Sequence, residues 1–273
     1  MTWEKKRVLV TVKAAPEPSK KYHEGVVCTA GITDRSEFIR LYPIPFELFY
    51  RKEGPKKFEW IEVECEKAIE KLSRKESYKV KPGSIKVIDT SLSSRDGQKV
   101  NWDERSKYVL PMKANSVEDL RHAFDVDRTS LGLVKVAELI DFYERANEDE
   151  DEVNTKRYMQ VVFDQIQNRG TFSKIPVLDK IEHVHSYKFR CEGASCTTHD
   201  MTMLDWELYE SLRSWKYPKE EFPAKLRQQF FENFKKTDLY FFLGTTSLQP
   251  SWVIIGAYRP PKDKHVDINT AFG

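Results

Sequence analysis

The chain has 273 residues, with 45 Lys and Arg against 43 Asp and Glu, and 40% of its residues are hydrophobic. This length allows one large or two ordinary domains, and this composition excludes collagen-like and low-complexity chains. The longest apolar run, residues 252–257, is far shorter than the ~18 residues that a membrane span needs. Four Cys are too few for a disulfide framework, so we expect a cytoplasmic protein with no membrane segment.

Short alternating segments near the N-terminus predict five strands, because apolar residues recur there with a period of two. The predicted strands are residues 7–13, 24–32, 38–42, 58–66 and 78–88. Prolines and polar turns separate them. Five short strands in about 90 residues are typical of a small OB-like or SH3-like barrel.

The pattern changes after residue 89, where helical and strand segments alternate. Predicted helices span 116–124, with Ser116 as N-cap, and then 134–145, 204–215 and 223–236. Predicted strands span 158–166, 174–191, 239–243 and 252–258. The acidic run 148–152 indicates a solvated boundary. The fold class is therefore α+β, with an OB-like barrel domain (1–112), a helical and acidic connecting segment (113–157) and an α+β domain (158–273).

Two segments of the predicted barrel resemble a known family. Residues 27–32 read Val-Cys-Thr-Ala-Gly-Ile, and residues 38–43 read Phe-Ile-Arg-Leu-Tyr-Pro. These segments are similar to bacterial proteins that carry a dual OB-containing domain. The resemblance covers about 40 residues and implies an OB barrel and a role in a nucleic-acid or defence (conflict) system; it supplies no catalytic residues.

The charge is unevenly distributed, and the barrel region is basic. Residues 1–112 hold 23 basic and 17 acidic side chains, whereas residues 113–160 hold 7 and 12. A basic excess favours nucleic acid, DNA or RNA, as partner, and an ordinary solvated surface is the alternative. The candidate phosphate contacts are Lys20, Lys21, Arg40, Lys56 and Lys57, and the candidate stacking residues are Tyr22, Tyr42 and Trp60. For Arg40, the alternative is a surface side chain with a carboxylate neighbour.

The segment 183–200 contains a possible metal site. Cys191 and Cys196 flank a Gly-containing loop, and His199 follows three residues later. With His185, or alternatively His183, as fourth ligand, these side chains could hold structural Zn²⁺, which favours sulfur and nitrogen donors. The alternative is a pair of ordinary cysteines beside a surface His.

Three functions are compatible with these features. The leading one is a nucleic-acid-binding protein, with the binding surface on the barrel. The second is a metal-dependent, nuclease-like enzyme that acts on nucleic acid or nucleotide through the region 183–207. The third is a protein-interaction subunit whose acidic middle segment contacts a protein partner.

Overall fold

The computed structural model of the protein describes residues 2–18, 25–50, 54–68, 74–146, 183–194, 196–246 and 251–262. Thirteen strands lie in these ranges: Glu4–Lys13 (β1), Glu17–Pro18 (β2), Gly25–Thr33 (β3), Phe38–Pro45 (β4), Trp60–Lys67 (β5), Ser77–Val80 (β6), Lys86–Asp89 (β7), Lys113–Ala114 (β8), Leu131–Ala146 (β9), His183–Cys191 (β10), His199–Met203 (β11), Tyr240–Thr245 (β12) and Trp252–Tyr258 (β13). The described helices are Trp102–Val109 (α1), Val117–Asp127 (α2), Trp206–Ser214 (α3) and Phe222–Arg227 (α4), and α4 continues through a π turn, Gln228–Glu232, into Asn233–Lys235. None of these helices has the length and apolar character needed to cross a membrane.

The N-terminal strands close into a barrel. Around its circumference the order is β1-β3-β4-β6-β5, and β5 pairs again with β1. All pairs are antiparallel except β4 with β6, which run parallel. Valine and isoleucine side chains from alternate positions fill the interior, among them Val8, Val10, Ile39 and Ile61. The predicted five-stranded OB-like barrel is therefore confirmed.

The C-terminal α+β part closes into a second barrel with the same strand order. Its circumference runs β9-β10-β11-β13-β12, and β12 pairs with β9. Here β11 and β13 are the parallel pair, and α3 and α4 lie in the connection between β11 and β12. The α+β class is confirmed, and two barrels of one topology stand in tandem.

The predicted helix over 134–145 is wrong, because these residues belong to β9. In the pairing of β9 with β10, Lys188 pairs with Asp141, but the next residue, Phe189, pairs with Leu139, so the register shifts by one residue. A second shift lies between the pair Arg190–Glu138 and the pair Cys191–Val136. Each shift adds an unpaired residue to β9, as in a β-bulge. The inward-facing residues therefore recur every three positions, which is the spacing of a helix face.

The two barrels pack against each other through the outer sides of their strands. Leu9, Ala30 and Ile32 point away from the first barrel's interior, yet none is more than 4% exposed. They belong to one apolar cluster with Leu133 and Phe242 of the second barrel. Because both sides of these strands are buried, the first barrel is covered on the outer side of β1 and β3, and on β4 the cover includes Arg40 but not Tyr42.

Other sequence predictions have mixed outcomes. The helices expected at 116–124, 204–215 and 223–236 are confirmed as α2, α3 and the helical run from α4. Helix α1, at Trp102–Val109, was not predicted. The acidic run 148–152 and the predicted strand 158–166 lie outside the described residues.

Candidate functional site

Three of the predicted nucleic-acid contacts, Lys20, Lys21 and Tyr22, lie outside the described residues. Two others, Tyr42 and Lys56, are exposed on the first barrel. The remaining three, Arg40, Lys57 and Trp60, are each less than 10% exposed. Buried side chains do not present charge or ring faces to a nucleic acid, so these three predictions need correction.

Arg40 is a buried link between the barrels. Its Nη2 donates to the carbonyl oxygen of Ser130 at 3.0 Å and to Ser130 Oγ at 3.4 Å. Ser130 in turn donates its Oγ proton to Glu76 at 2.7 Å, and Glu76 is also buried. The guanidinium thus satisfies polar groups at the junction, immediately before β9 begins, and does not face solvent.

Lys57 forms a buried ion pair with the second barrel. Its Nζ lies 3.0 and 2.9 Å from the two carboxylate oxygens of Asp205 and 3.3 Å from Glu207 Oε2. Burial alone would lower the pKa of Lys57, but these two carboxylates outweigh burial and raise it. Asp205 also caps α3 by accepting from the backbone N–H of Glu207. Trp60 packs edge-to-face on Tyr108, with ring centroids 5.3 Å apart, and belongs to the core between the barrels.

The cysteine cluster exists, but its fourth member is not the residue expected. The side chains of Glu118, Cys191, Cys196 and His199 place one ligand atom each within 4.8 Å of one another. His185 lies on the same strand as Cys191 but six residues away, which is about 20 Å along an extended chain. It stacks on Phe142, with ring centroids 5.5 Å apart, and the prediction of His185 as a ligand is wrong.

The geometry of the cluster comes from two elements that converge. Cys191 ends β10 and His199 begins β11, so the loop between them returns both to one point. Glu118 is in the first turn of α2, where acidic residues complement the helix dipole. Because an acidic residue is common at the start of a helix, the sequence does not indicate Glu118 as a metal ligand. Glu118 lies near the two cysteines because the loop between β10 and β11 packs against α2.

The protonation of the cluster is set by burial and by the neighbouring donors. Burial lowers the pKa of His199, which favours the neutral imidazole that binds metals. Burial and a hydrogen bond with Cys191 raise the pKa of Cys196 to about 11. Burial alone would raise the pKa of Glu118, but its backbone N–H, His199 and Thr197 outweigh burial and lower it. The four side chains could hold a metal ion.

A second polar surface lies on the outer side of β9, β10 and β11, and we call it the open face. It is defined by Tyr143, Arg145, Lys188 and Arg190. Arg145 donates to the hydroxyl oxygen of Thr202 at 2.7 Å, and Lys188 Nζ lies 5.5 Å from the centre of the Tyr143 ring. Within the described residues, neither Arg145 nor Lys188 has a carboxylate partner. Among the described residues, the outer side of the first barrel's equivalent strands is buried at Leu9, Ala30 and Ile32, whereas Lys188 and Arg190 of the second barrel are exposed.

Carboxylates on the open face are largely engaged by neighbours. Tyr143 donates its hydroxyl proton to Asp200 at 2.6 Å, and this bond raises the pKa of Tyr143. Arg190 lies 3.6 Å from Glu138. The sequence did not indicate the open face, because residues 134–145 were predicted to be helical and Tyr143 and Arg145 were therefore not assigned to a strand.

The chain matches two family models. Domain of unknown function (DUF8758) matches residues 4–111, and Domain of unknown function (DUF8757) matches residues 113–272. The second match spans more than half of the chain, so the chain belongs to the DUF8757 family. No curated protein matches it.

Several solved structures are distantly similar. The Ifi202 HINa domain in complex with 20-bp double-stranded DNA has a TM-score of 0.34 and 8% identity, over 94% of each chain. A replication protein A heterotrimer bound to single-stranded DNA has a TM-score of 0.37 and 7% identity, over 97% of this chain and 50% of that one. A murine DNA-binding protein bound to double-stranded DNA has a TM-score of 0.31 and 10% identity, over 95% and 97%.

Proposed function

We propose that the protein binds single-stranded nucleic acid on the open face of the second barrel. The proposal rests on the difference in solvent exposure between the corresponding surfaces of the two barrels. OB barrels bind oligonucleotides on the face of their second and third strands. In the first barrel these strands are β3 and β4, and the second barrel covers much of their outer side. In the second barrel they are β10 and β11, where Lys188, Arg190 and Asp200 on the outer side are exposed, whereas Val184 and Ser186 on the same side are buried.

The chemistry of the open face suits a polynucleotide backbone. Arg145 and Lys188 are held by hydroxyl groups and by an aromatic ring, and neither forms an ion pair with a carboxylate of the described residues, although Asp141 and Asp200 flank Lys188 on the neighbouring strands. Such cations exchange counterions for phosphates when nucleic acid binds. Arg190 is a third cation at the same edge, next to Thr198, and it would exchange its exposed partner Glu138, 3.6 Å away, for a phosphate.

A single strand fits this face better than a duplex. Tyr143 offers a ring on which an unpaired base can stack, and stacking of this kind is tolerant of sequence. Three cations predict a salt slope of roughly −2, at about −0.7 for each phosphate on a single strand. A duplex would bury its bases and leave the Tyr143 ring unused.

Fluorescence anisotropy with labelled single-stranded DNA, RNA and duplex DNA tests the proposal. The Arg145→Ala/Lys188→Ala variant should lose at least about tenfold in affinity for single strands and reduce the salt slope by about 1.4. The control is Lys56→Ala/Lys86→Ala, which removes two exposed cations of the first barrel and should bind as the wild type does. Absence of binding at low salt, or a loss confined to the control, would overturn the proposal.

We include in this proposal a structural Zn²⁺ ion at the cysteine cluster. The cluster lies at the end of the β10–β11 hairpin, which is the hairpin that forms the open face. An ion there would brace the two strands from one side. The resemblance to dual OB-containing-domain proteins, and with it a role in bacterial defence, stays a prediction.

A further inference from the structure

The cysteine cluster connects two elements that are distant in sequence. Helix α2 precedes the second barrel in the chain, whereas the loop from Cys191 to His199 is part of the second barrel. The two elements approach so closely that a Cβ at position 193 would lie 2.6 Å from Cβ of Ser116, the N-cap of α2. Only glycine fits at that contact.

We infer that Glu118, Cys191, Cys196 and His199 form a closed four-ligand Zn²⁺ site that locks the β10–β11 hairpin onto α2. This inference rests on the zinc ion of the proposed function and does not depend on nucleic-acid binding. Glu118, and not His185, is the fourth ligand. Four protein ligands without an open position make the site structural.

Of four distances between ligand atoms in the cluster, two lie in the range expected around a tetrahedral ion and two are shorter. Cys191 Sγ and Cys196 Sγ lie 3.7 and 3.1 Å from His199 Nε2, and Glu118 Oε1 lies 3.5 Å from the same nitrogen. The two sulfurs are 2.8 Å apart. Tetrahedral zinc separates its ligands by about 3.3–3.8 Å, so binding requires the sulfurs to part by about 1 Å.

The polar atoms of the cluster are incompletely satisfied by the protein alone. Glu118 Oε2 is buried and has no hydrogen-bond partner within the described residues. An unpartnered buried carboxylate oxygen is unfavourable, and a cation bound by this carboxylate, whose other oxygen lies 3.5 Å from His199 Nε2, would compensate it. The His199 side chain is 1% exposed, so it is desolvated before the metal arrives.

The donor set selects a particular class of metal. Two thiolates and an imidazole favour zinc over hard cations such as Mg²⁺ and Ca²⁺, which prefer oxygen ligands. Cys196 and Glu118 are partly exposed, whereas Cys191 and His199 are buried. The ion therefore enters and leaves on the side of Cys196 and Glu118.

Elemental analysis of the full chain, purified without added metal, tests this inference, together with Zn²⁺ affinity from competition with a chromophoric chelator. We expect about one zinc per chain. Glu118→Gln should weaken Zn²⁺ binding by more than about tenfold and change the visible spectrum of the Co²⁺-substituted protein. Cys196→Ser should lose the metal. The controls Glu192→Gln, beside Cys191, and His185→Phe should keep wild-type metal content.

Hydrogen exchange tests whether the metal holds the β10–β11 hairpin against α2. Chelation of the metal should accelerate exchange in residues 116–120 and 191–199 and leave the first barrel unchanged. A metal-free chain, a Cys191–Cys196 disulfide by thiol titration, or equal zinc affinity in Glu118→Gln and Glu192→Gln would overturn the inference. None of these measurements uses nucleic acid, so a failure of the open face to bind would be recognised separately.

Discussion

Lys57 provides the sharpest test of how the two barrels are joined. Replacement of Lys57 by Met keeps most of the side-chain volume and removes the cation that pairs with Asp205. Both side chains are nearly inaccessible, at 7% and 3% exposure. Asp205 is then left as a buried carboxylate whose remaining described contact is its capping bond to α3.

The expected loss of folding stability in Lys57→Met follows from the unpaired charge left on Asp205. Breaking a buried ion pair by removal of one partner typically costs about 3–5 kcal/mol. The double variant Lys57→Met/Asp205→Asn removes both charges, and Asn still caps α3 because Asn and Asp are equivalent at that position. Its cost should be below about 2 kcal/mol, because replacement of a whole buried pair is often close to neutral.

Urea denaturation of the wild type, Asp205→Asn and the Lys57 variants supplies the free energies for a double-mutant cycle. We expect a coupling energy above about 1.5 kcal/mol between Lys57 and Asp205. Affinity for single-stranded nucleic acid should not change in the folded Lys57→Met protein. A loss of affinity with no loss of stability would refute the reasoning, since it would mean that Lys57 contacts phosphate.

Two further predictions concern packing and pH. Gly31→Ala should destabilise the protein by about 1–3 kcal/mol, because the new Cβ would lie 2.4 Å from the carbonyl oxygen of Leu9. The control Gly83→Ala, which has open space but a φ of 73°, should cost about 1 kcal/mol, and a larger cost at Gly83 would contradict this account. Burial lowers the pKa of His185, so the unfolded state binds more protons and stability should fall as pH drops below about 6.5. His185→Phe, which sacrifices no described hydrogen bond, should flatten this dependence in urea denaturation between about pH 7.5 and pH 5. His199 contributes to the same pH window, so a residual slope is expected, and an unchanged slope would rule out His185 as its source.

The first barrel could be predicted because its strands follow a simple period of two. Val8 and Val10 point inward and the turns between strands contain proline or polar residues. Strand β9 could not be predicted in this way. Its two bulges place Val136, Leu139 and Phe142 inward at intervals of three, and this interval is indistinguishable from a helix in the sequence.

The candidate sites were predictable only where their residues are close in sequence. Cys191, Cys196 and His199 lie within nine residues, and their spacing alone indicated a cluster. Glu118 comes from another element and looks like an ordinary helix-start residue. Lys57 and Arg40 were misassigned because a basic residue gives no sign of whether a second barrel covers it.

Cross-linking of a halogenated single-stranded oligonucleotide, with mass-spectrometric mapping of the attached residues, tests the central claim most directly. Tyr143 on the open face and Tyr42 on the first barrel are both partly exposed tyrosines, so they form a matched pair of reporters. We predict cross-links at Tyr143 and in residues 183–203, and their loss in the Arg145→Ala/Lys188→Ala variant. Cross-links at Tyr42 with none in residues 143–203 would contradict the account and return the binding surface to the first barrel.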